Sequence, residues 1–164
     1  MIFWLLALIL IGIPATVFVT GQLGGLRGNP AAAMGVGADG QLAPPSPTPN
    51  SVSSQTDRHP GHPQAAYAAI APFTWPTPGT GQATLERLER LLQDTPGVTV
   101  VQRETGYLRA EAETRWLRFV DDLEFALDEP AGVIHVRASS RLGRKDFGVN
   151  RARIERLRQR LATP

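Results

Sequence analysis

Residues 106–150 read GYLRAEAETRWLRFVDDLEFALDEPAGVIHVRASSRLGRKDFGVN, and the fold turns on how this stretch is parsed. Within 117–127, Leu117, Phe119, Leu123, Phe125 and Leu127 share one face at a spacing of two, while Arg118, Asp122 and Glu124 take the other. That alternation is the mark of a half-buried strand. The run Asp128-Glu129-Pro130-Ala131-Gly132 is a turn, and residues 133–138 return as a second strand. A hairpin closed with Leu127 near Gly132 sets Phe125 against Ile134 and Leu123 against Val136 on the apolar side. The same pairing sets Asp122 against Arg137 and Glu124 against His135 on the polar side.

Two further strands precede the hairpin. Residues 98–102 are β-branched, and from Tyr107 to Glu113 the small or apolar Leu108, Ala110 and Ala112 alternate with Arg109, Glu111 and Glu113. Helices flank the four strands. One runs from Thr80 or Gly81 to about Gln93 with Leu85, Leu88, Leu91 and Leu92 as its stripe, and Pro96-Gly97 ends it. The other follows Asn150, a residue suited to capping, with Ile154, Leu157 and Leu161 inward and five arginines outward. The expected fold is α+β: a four-stranded antiparallel meander with two amphipathic helices on one face.

The N-terminus differs in kind. No residue from Ile2 to Leu26 is charged, and the run is long enough to cross a bilayer as a helix kinked at Pro14. It lacks the basic start and small-residue cleavage site of a secretory signal. Residues 1–26 are therefore expected to be a transmembrane anchor. Residues 27–45 follow as a flexible Gly/Pro-rich stalk, 46–79 as an ordered extended strap and 80–162 as the α+β domain. Eleven of the 14 prolines lie before Gly81. The expected setting is a single-pass protein of the cytoplasmic membrane with its domain outside, held to the bilayer through residues 2–26.

Composition narrows function without naming it. The net charge of +2 supplies no broad basic surface for nucleic acid, and the absence of Cys excludes disulfides, thiolate metal sites and Cys nucleophiles. His59 and His62 sit among Pro and Gly with no completing carboxylate, so no metal and no cofactor is expected. Asp121 is the anomaly, since alternation places it on the apolar face, where a carboxylate needs an Arg, amide donors or a bulge. The loop 139–151 carries Ser140, Arg141, Asp146, Asn150 and Arg151, with glycines at 143 and 148, and with Arg137 it offers an anion site. A triad of Ser140, His135 and Asp121 is disfavoured, because His135 faces away from Ser140.

The segments GYLRAEAETRWLRFVDDLEF and GVIHVRASSRLGRKDFGVNRARIERLR, joined by PNSVSSQ at 49–55, resemble the DUF1499 family of bacterial and plastid-related proteins of unknown function. The resemblance spans 42–161. It implies that Asn50, Ser53, Ser54 and Gln55 belong to the domain and contribute to its polar site. It also marks Glu111, Asp122 and Glu124. This chain has Ser51 where the family usually has Cys, and Arg144-Lys145 where it has Tyr-Ser. Membrane-anchored members are a familiar form of the family. Two functional expectations follow. One is a membrane-anchored envelope module whose Asn50–Gln55 strap, Asp121, Arg137 and 139–151 loop bind an envelope protein or an anionic ligand. The other is a hydrolase-like enzyme for a small anionic substrate, with Asp121 as general base and Arg137 or Arg141 stabilising charge.

Overall fold

The computed structural model describes residues 2–75 and 80–162, with side chains described from residue 9 onward; the expected strap positions 76–79 lie outside the described residues. The hairpin is present as β5, Val120–Asp128, and β6, Val133–Ser140. Its register is two residues away from the expected one: Phe125 pairs with Val136, Leu123 with Ala138, Glu124 with Arg137 and Asp122 with Ser139. The turn explains the shift. Asp128 pairs directly with Val133, and its carboxylate accepts the Ala131 amide at 3.0 Å, closing a four-residue loop that ends at Gly132 with φ +67. A shift of two keeps every side chain on its expected face, whereas a shift of one would reverse them all.

Preceding strands β3, Val98–Glu104, and β4, Tyr107–Glu113, complete the meander, with an irregularity between Val100 and Gln102. The sheet then exceeds the expected four strands. Two short segments, β1 (Ser51–Ser53) and β2 (Phe73–Thr74), both pair antiparallel with β6, giving six strands in the order β1-β6-β5-β4-β3 with β2 alongside β1's position on β6. Segments of three and two residues are too short to show a period in sequence. They form because the outer edge of β6 would otherwise leave its amides and carbonyls unpaired. Ser54 continues that edge: its amide donates to Val136 O, and Val136 N donates to its hydroxyl, both at 2.9 Å.

Packed on one face are α3, Gly81–Gln93, and α4, Val149–Ala162. Leu85, Leu88 and Leu92 of α3 and Ile154, Leu157 and Leu161 of α4 meet Leu108, Leu123, Phe125, Ile134 and Val136 of the sheet. Phe73 of β2 closes one end of this core, edge-to-face on Phe125 at 5.9 Å between ring centres. Between β1 and β2 the chain makes a 3-10 turn, Thr56–Arg58, and a short helix α2, Ala65–Ala68. The opposite sheet face holds Arg109, Glu111, Asp122, Glu124 and Arg137, and residues 27–47 lie across it.

The N-terminal helix α1, Ile2–Gln22, corrects the expected anchor. Among the described residues no helix is long and apolar enough to cross a membrane. From Ile9 onward the helix carries Gly12, Pro14, Thr16, Thr20 and Gly21 among its apolar residues. Its last turn is committed to the domain. The Gln22 amide donates to Trp116 O at 2.8 Å, Arg118 donates to Gln22 O at 3.2 Å, and Gly21 lies so close to Leu117 that an added Cβ would come within 2.6 Å of its carbonyl. The transmembrane anchor, the single-pass topology, the extracytoplasmic setting and the membrane as partner are therefore not supported. The envelope-module reading loses its basis with them.

Candidate functional site

The polar sheet face is an ionic layer of two groups, produced by the alternation of β4, β5 and β6. Glu124 is fully buried and accepts three donors: Arg137 Nη1 at 2.6 Å, the Tyr107 hydroxyl at 2.8 Å and the Gly35 amide at 2.7 Å. Arg141 reaches across to Asp122, with Nε to Oδ2 at 2.8 Å and Nη2 to Oδ1 at 2.7 Å, and Nη2 also meets Glu111 at 2.5 Å. Arg109 approaches Asp122 at 3.6 Å, and Arg27 bridges Glu111 and Glu113. Burial pushes the Tyr107 phenol far above its ordinary value, and the negative charge of Glu124 adds to the effect. Hydrogen bonding to Asp122 outweighs burial at Arg141 and, with Glu111, holds its guanidinium more firmly protonated.

Above this layer the Pro-rich segment leaves a groove of about 350 Å³, lined on the sheet side by Asp122, Arg137, Ser139, Ser140, Arg141 and Asn50. Residues 43–47 and parts of 29–33 form the other wall. Such a volume falls at the small end of ligand sites. The floor is unevenly satisfied. Arg137 spends Nε on Pro44 O and Nη1 on Glu124, and Arg141 spends Nε and Nη2 on carboxylates. Arg137 Nη2, Arg141 Nη1 and the Ser139 hydroxyl make no hydrogen bond among the described residues. Nor does the buried Asn50 Oδ1.

The remaining expected site residues divide between this groove and a second cluster. Asp146 caps α4 in place of Asn150, its carboxylate accepting the amides of Gly148 at 3.0 Å and Asn150 at 3.1 Å and the Tyr67 hydroxyl at 2.5 Å. Burial alone would raise its pKa, but these donors outweigh it and hold Asp146 below the ordinary carboxylate value. The Tyr67 phenol is raised in turn, chiefly by its bond to Asp146. Arg151 donates to Tyr67 O at 2.5 Å, and the Asn150 amide ties Asn50 O to the Ser140 hydroxyl at 3.2 and 3.1 Å. Asn50 in turn donates to Gly143 O at 2.6 Å. This cluster fastens strap, loop and α4 together.

Asp121 lies on the helix side of the sheet, 2.8 Å from Arg153 of α4. It thus finds the cation that its place on the apolar face demanded. Ser53 and Gln55 turn inward: the Ser53 hydroxyl accepts the Gln55 amide at 3.1 Å, and Gln55 Oε1 accepts the Leu42 amide at 2.9 Å. Ser54 contacts His135 Nδ1 at 3.1 Å, and His135 Nε2 lies 3.5 Å from Asp128. Neither Ser54 nor His135 lines the groove, and the Ser54 hydroxyl already serves Val136. Among the described residues no group of three or more His, Asp or Glu is placed to hold a metal ion.

A family profile described as a protein of unknown function (DUF1499) matches residues 41–161, well over half the chain and all of the sheet. This chain belongs to the DUF1499 family. No curated protein and no solved structure matches it. The DUF1499 match begins inside the segment that covers the groove and ends inside α4. Ser51, the position where the family usually carries Cys, is buried and accepts the Ser46 amide at 2.8 Å. Arg144 and Lys145 are exposed. Sequence reasoning missed Ser139 and the carbonyl of Pro44. Ser139 emerges only from the observed register, in which the turn closes at Asp128 and Val133 and sets it opposite Asp122.

Proposed function

We propose that this DUF1499 domain binds a small anionic molecule in the groove over β6, through Arg137, Arg141 and the Ser139 hydroxyl. The observation that carries this reading is the half-satisfied state of two largely buried guanidiniums on one groove floor. Each is fixed by carboxylates or a carbonyl on one side and retains a free terminal nitrogen. Guanidinium groups held in place in this way bind carboxylate or phosphate oxygens with little loss of freedom. The small anionic ligand is the one expected of an enzyme substrate. Asp121 makes a poor general base for it, being engaged by Arg153 on the far side of the sheet.

The test is an NMR titration of the arginine side-chain N–H signals with acetate, sulfate and inorganic phosphate. Saturable shifts are expected at Arg137 and Arg141 and not at Arg158. In Ser139→Glu an internal carboxylate occupies the guanidiniums, and the shifts should disappear. Flat titrations with all three anions would refute the reading.

A further inference from the structure

The charge and the wall chemistry of the groove specify its ligand further. Four arginines, Arg27, Arg109, Arg118 and Arg141, form one ion-pair network with three carboxylates, Glu111, Glu113 and Asp122, and the separate pair Arg137–Glu124 stands beside it on the same face. Five positive against four negative charges leaves a net of one. A monoanion neutralises that excess. A dianion would leave an uncompensated negative charge beside Asp122, whose side chain is only 3% exposed.

The facing wall is the run Ala43-Pro44-Pro45-Ser46-Pro47, with Ala31 and Ala33 beside it. Proline has no N–H, and the Ser46 amide is already given to the Ser51 hydroxyl. This wall therefore offers pyrrolidine rings, methyl groups and carbonyl acceptors, and no free backbone donor at 44–47. Along 44–47 an anion's charged end finds no backbone donor, whereas the sheet side supplies Arg137, Arg141 and Ser139. The part of the ligand that meets the proline wall gains by being apolar.

Resting on the reading above, we infer that the ligand is a monocarboxylate with a short aliphatic or aryl body, its carboxylate on Arg137 and Arg141 and its body against Pro44–Pro47. At about 30 Å³ per water-sized group, the groove holds roughly a dozen non-hydrogen atoms. That range includes hexanoate and phenylacetate.

The experiment measures dissociation constants on the full chain, by the same NMR signals, for acetate, butyrate, hexanoate, hexanol and inorganic phosphate at pH 8. Each buried methylene is expected to tighten binding about fourfold, so butyrate, with two more, should exceed acetate by about fifteenfold. Hexanol and dianionic phosphate should bind at least tenfold more weakly than hexanoate. Equal affinity of acetate and hexanoate, or phosphate as tight as hexanoate, overturns the inference while anion binding in the groove survives. If no anion binds, the groove reading falls and takes the inference with it. The variant Pro45→Ser, on the wall and outside the ionic layer, should reduce the gain per methylene; an unchanged gain also overturns the inference.

Discussion

Replacing Arg137 by Met isolates the central interaction of the polar layer. Glu124 is fully shielded, Arg137 retains 5% of its side-chain exposure, and the two meet at 2.6 Å. In Arg137→Met the Glu124 carboxylate keeps the Tyr107 hydroxyl and the Gly35 amide but loses its only counter-charge among the described residues. Breaking one member of a buried pair costs about 3–5 kcal/mol, because the remaining charge stays desolvated. For a domain of the size matched by the family, unfolding entropy is roughly 0.25 kcal/mol per degree. The loss thus corresponds to a fall in Tm of about 12–20 °C. The companion Glu124→Met/Arg137→Met removes both charges, and most of the lost stability should return. Urea denaturation followed by circular dichroism reads all three proteins. A single variant that costs less than about 1 kcal/mol refutes the argument, as does a double variant no more stable than the single.

Other consequences are open to direct measurement. Asp146 has a native pKa below its ordinary 3.8, so its contribution to stability is full above that value and is lost as pH falls through the lower, native one. Asp146→Asn should flatten this part of the acid-denaturation curve, and an unchanged curve would count against the capping role. Tyr67 and Tyr107 are the only two tyrosines, and both phenols are raised. Absorbance at the tyrosinate band should therefore begin to rise at a higher pH in the folded protein than in the urea-unfolded chain, and coincident curves would contradict both assignments. Gly97 has φ +77, and an added Cβ would stand 2.7 Å from Glu113 O. Gly97→Ala is expected to cost more than about 1 kcal/mol in urea unfolding, through strain and displacement of the β3–β4 pair. Gly21→Val should free α1 from Leu117, read as faster proteolysis between residues 22 and 27 with the domain's Tm unchanged; equal proteolysis rates would contradict the docking of that turn.

How much was legible depended on the range of the interaction. The two-residue period of β5 and β6 placed Asp122, Glu124 and Arg137 on one face without reference to the rest of the chain. That assignment survived an error in register, because a shift of two preserves faces. The partners did not survive it: Glu124 meets Arg137, and Ser139 takes the place expected for Arg137 opposite Asp122. The Ser139 hydroxyl in the groove was hidden for this reason. Asp121 was marked in sequence by its conflict with the apolar pattern, but the cation that resolves the conflict, Arg153, comes from a helix 32 positions later, a distance no local period spans.

The N-terminal half shows the other limit. Its prolines and glycines made residues 27–45 look unstructured, yet Gly35, Leu42 and Pro44 each reach the domain through a backbone hydrogen bond, and the Leu42 side chain is buried in a cluster with Tyr107 and Ala126. Backbone hydrogen bonds to a distant side chain leave no trace in hydropathy or periodicity. The apolar run at the start likewise satisfied a count of residues, while the docking of its last turn on Trp116–Arg118 depends on a strand connection nearly a hundred residues away.

By itself the sequence determined the four-stranded meander, the buried faces of α3 and α4, and the gathering of acids and arginines on the opposite sheet face, because all of these follow from side-chain periods of two and 3.6. Tertiary structure alone decided the two added strands, the register of the hairpin, the pairing within the ionic layer and the groove above it. Those features arise where segments far apart in the chain meet, and the hydrogen bonds and ion pairs that choose among such meetings are set by geometry rather than by local pattern.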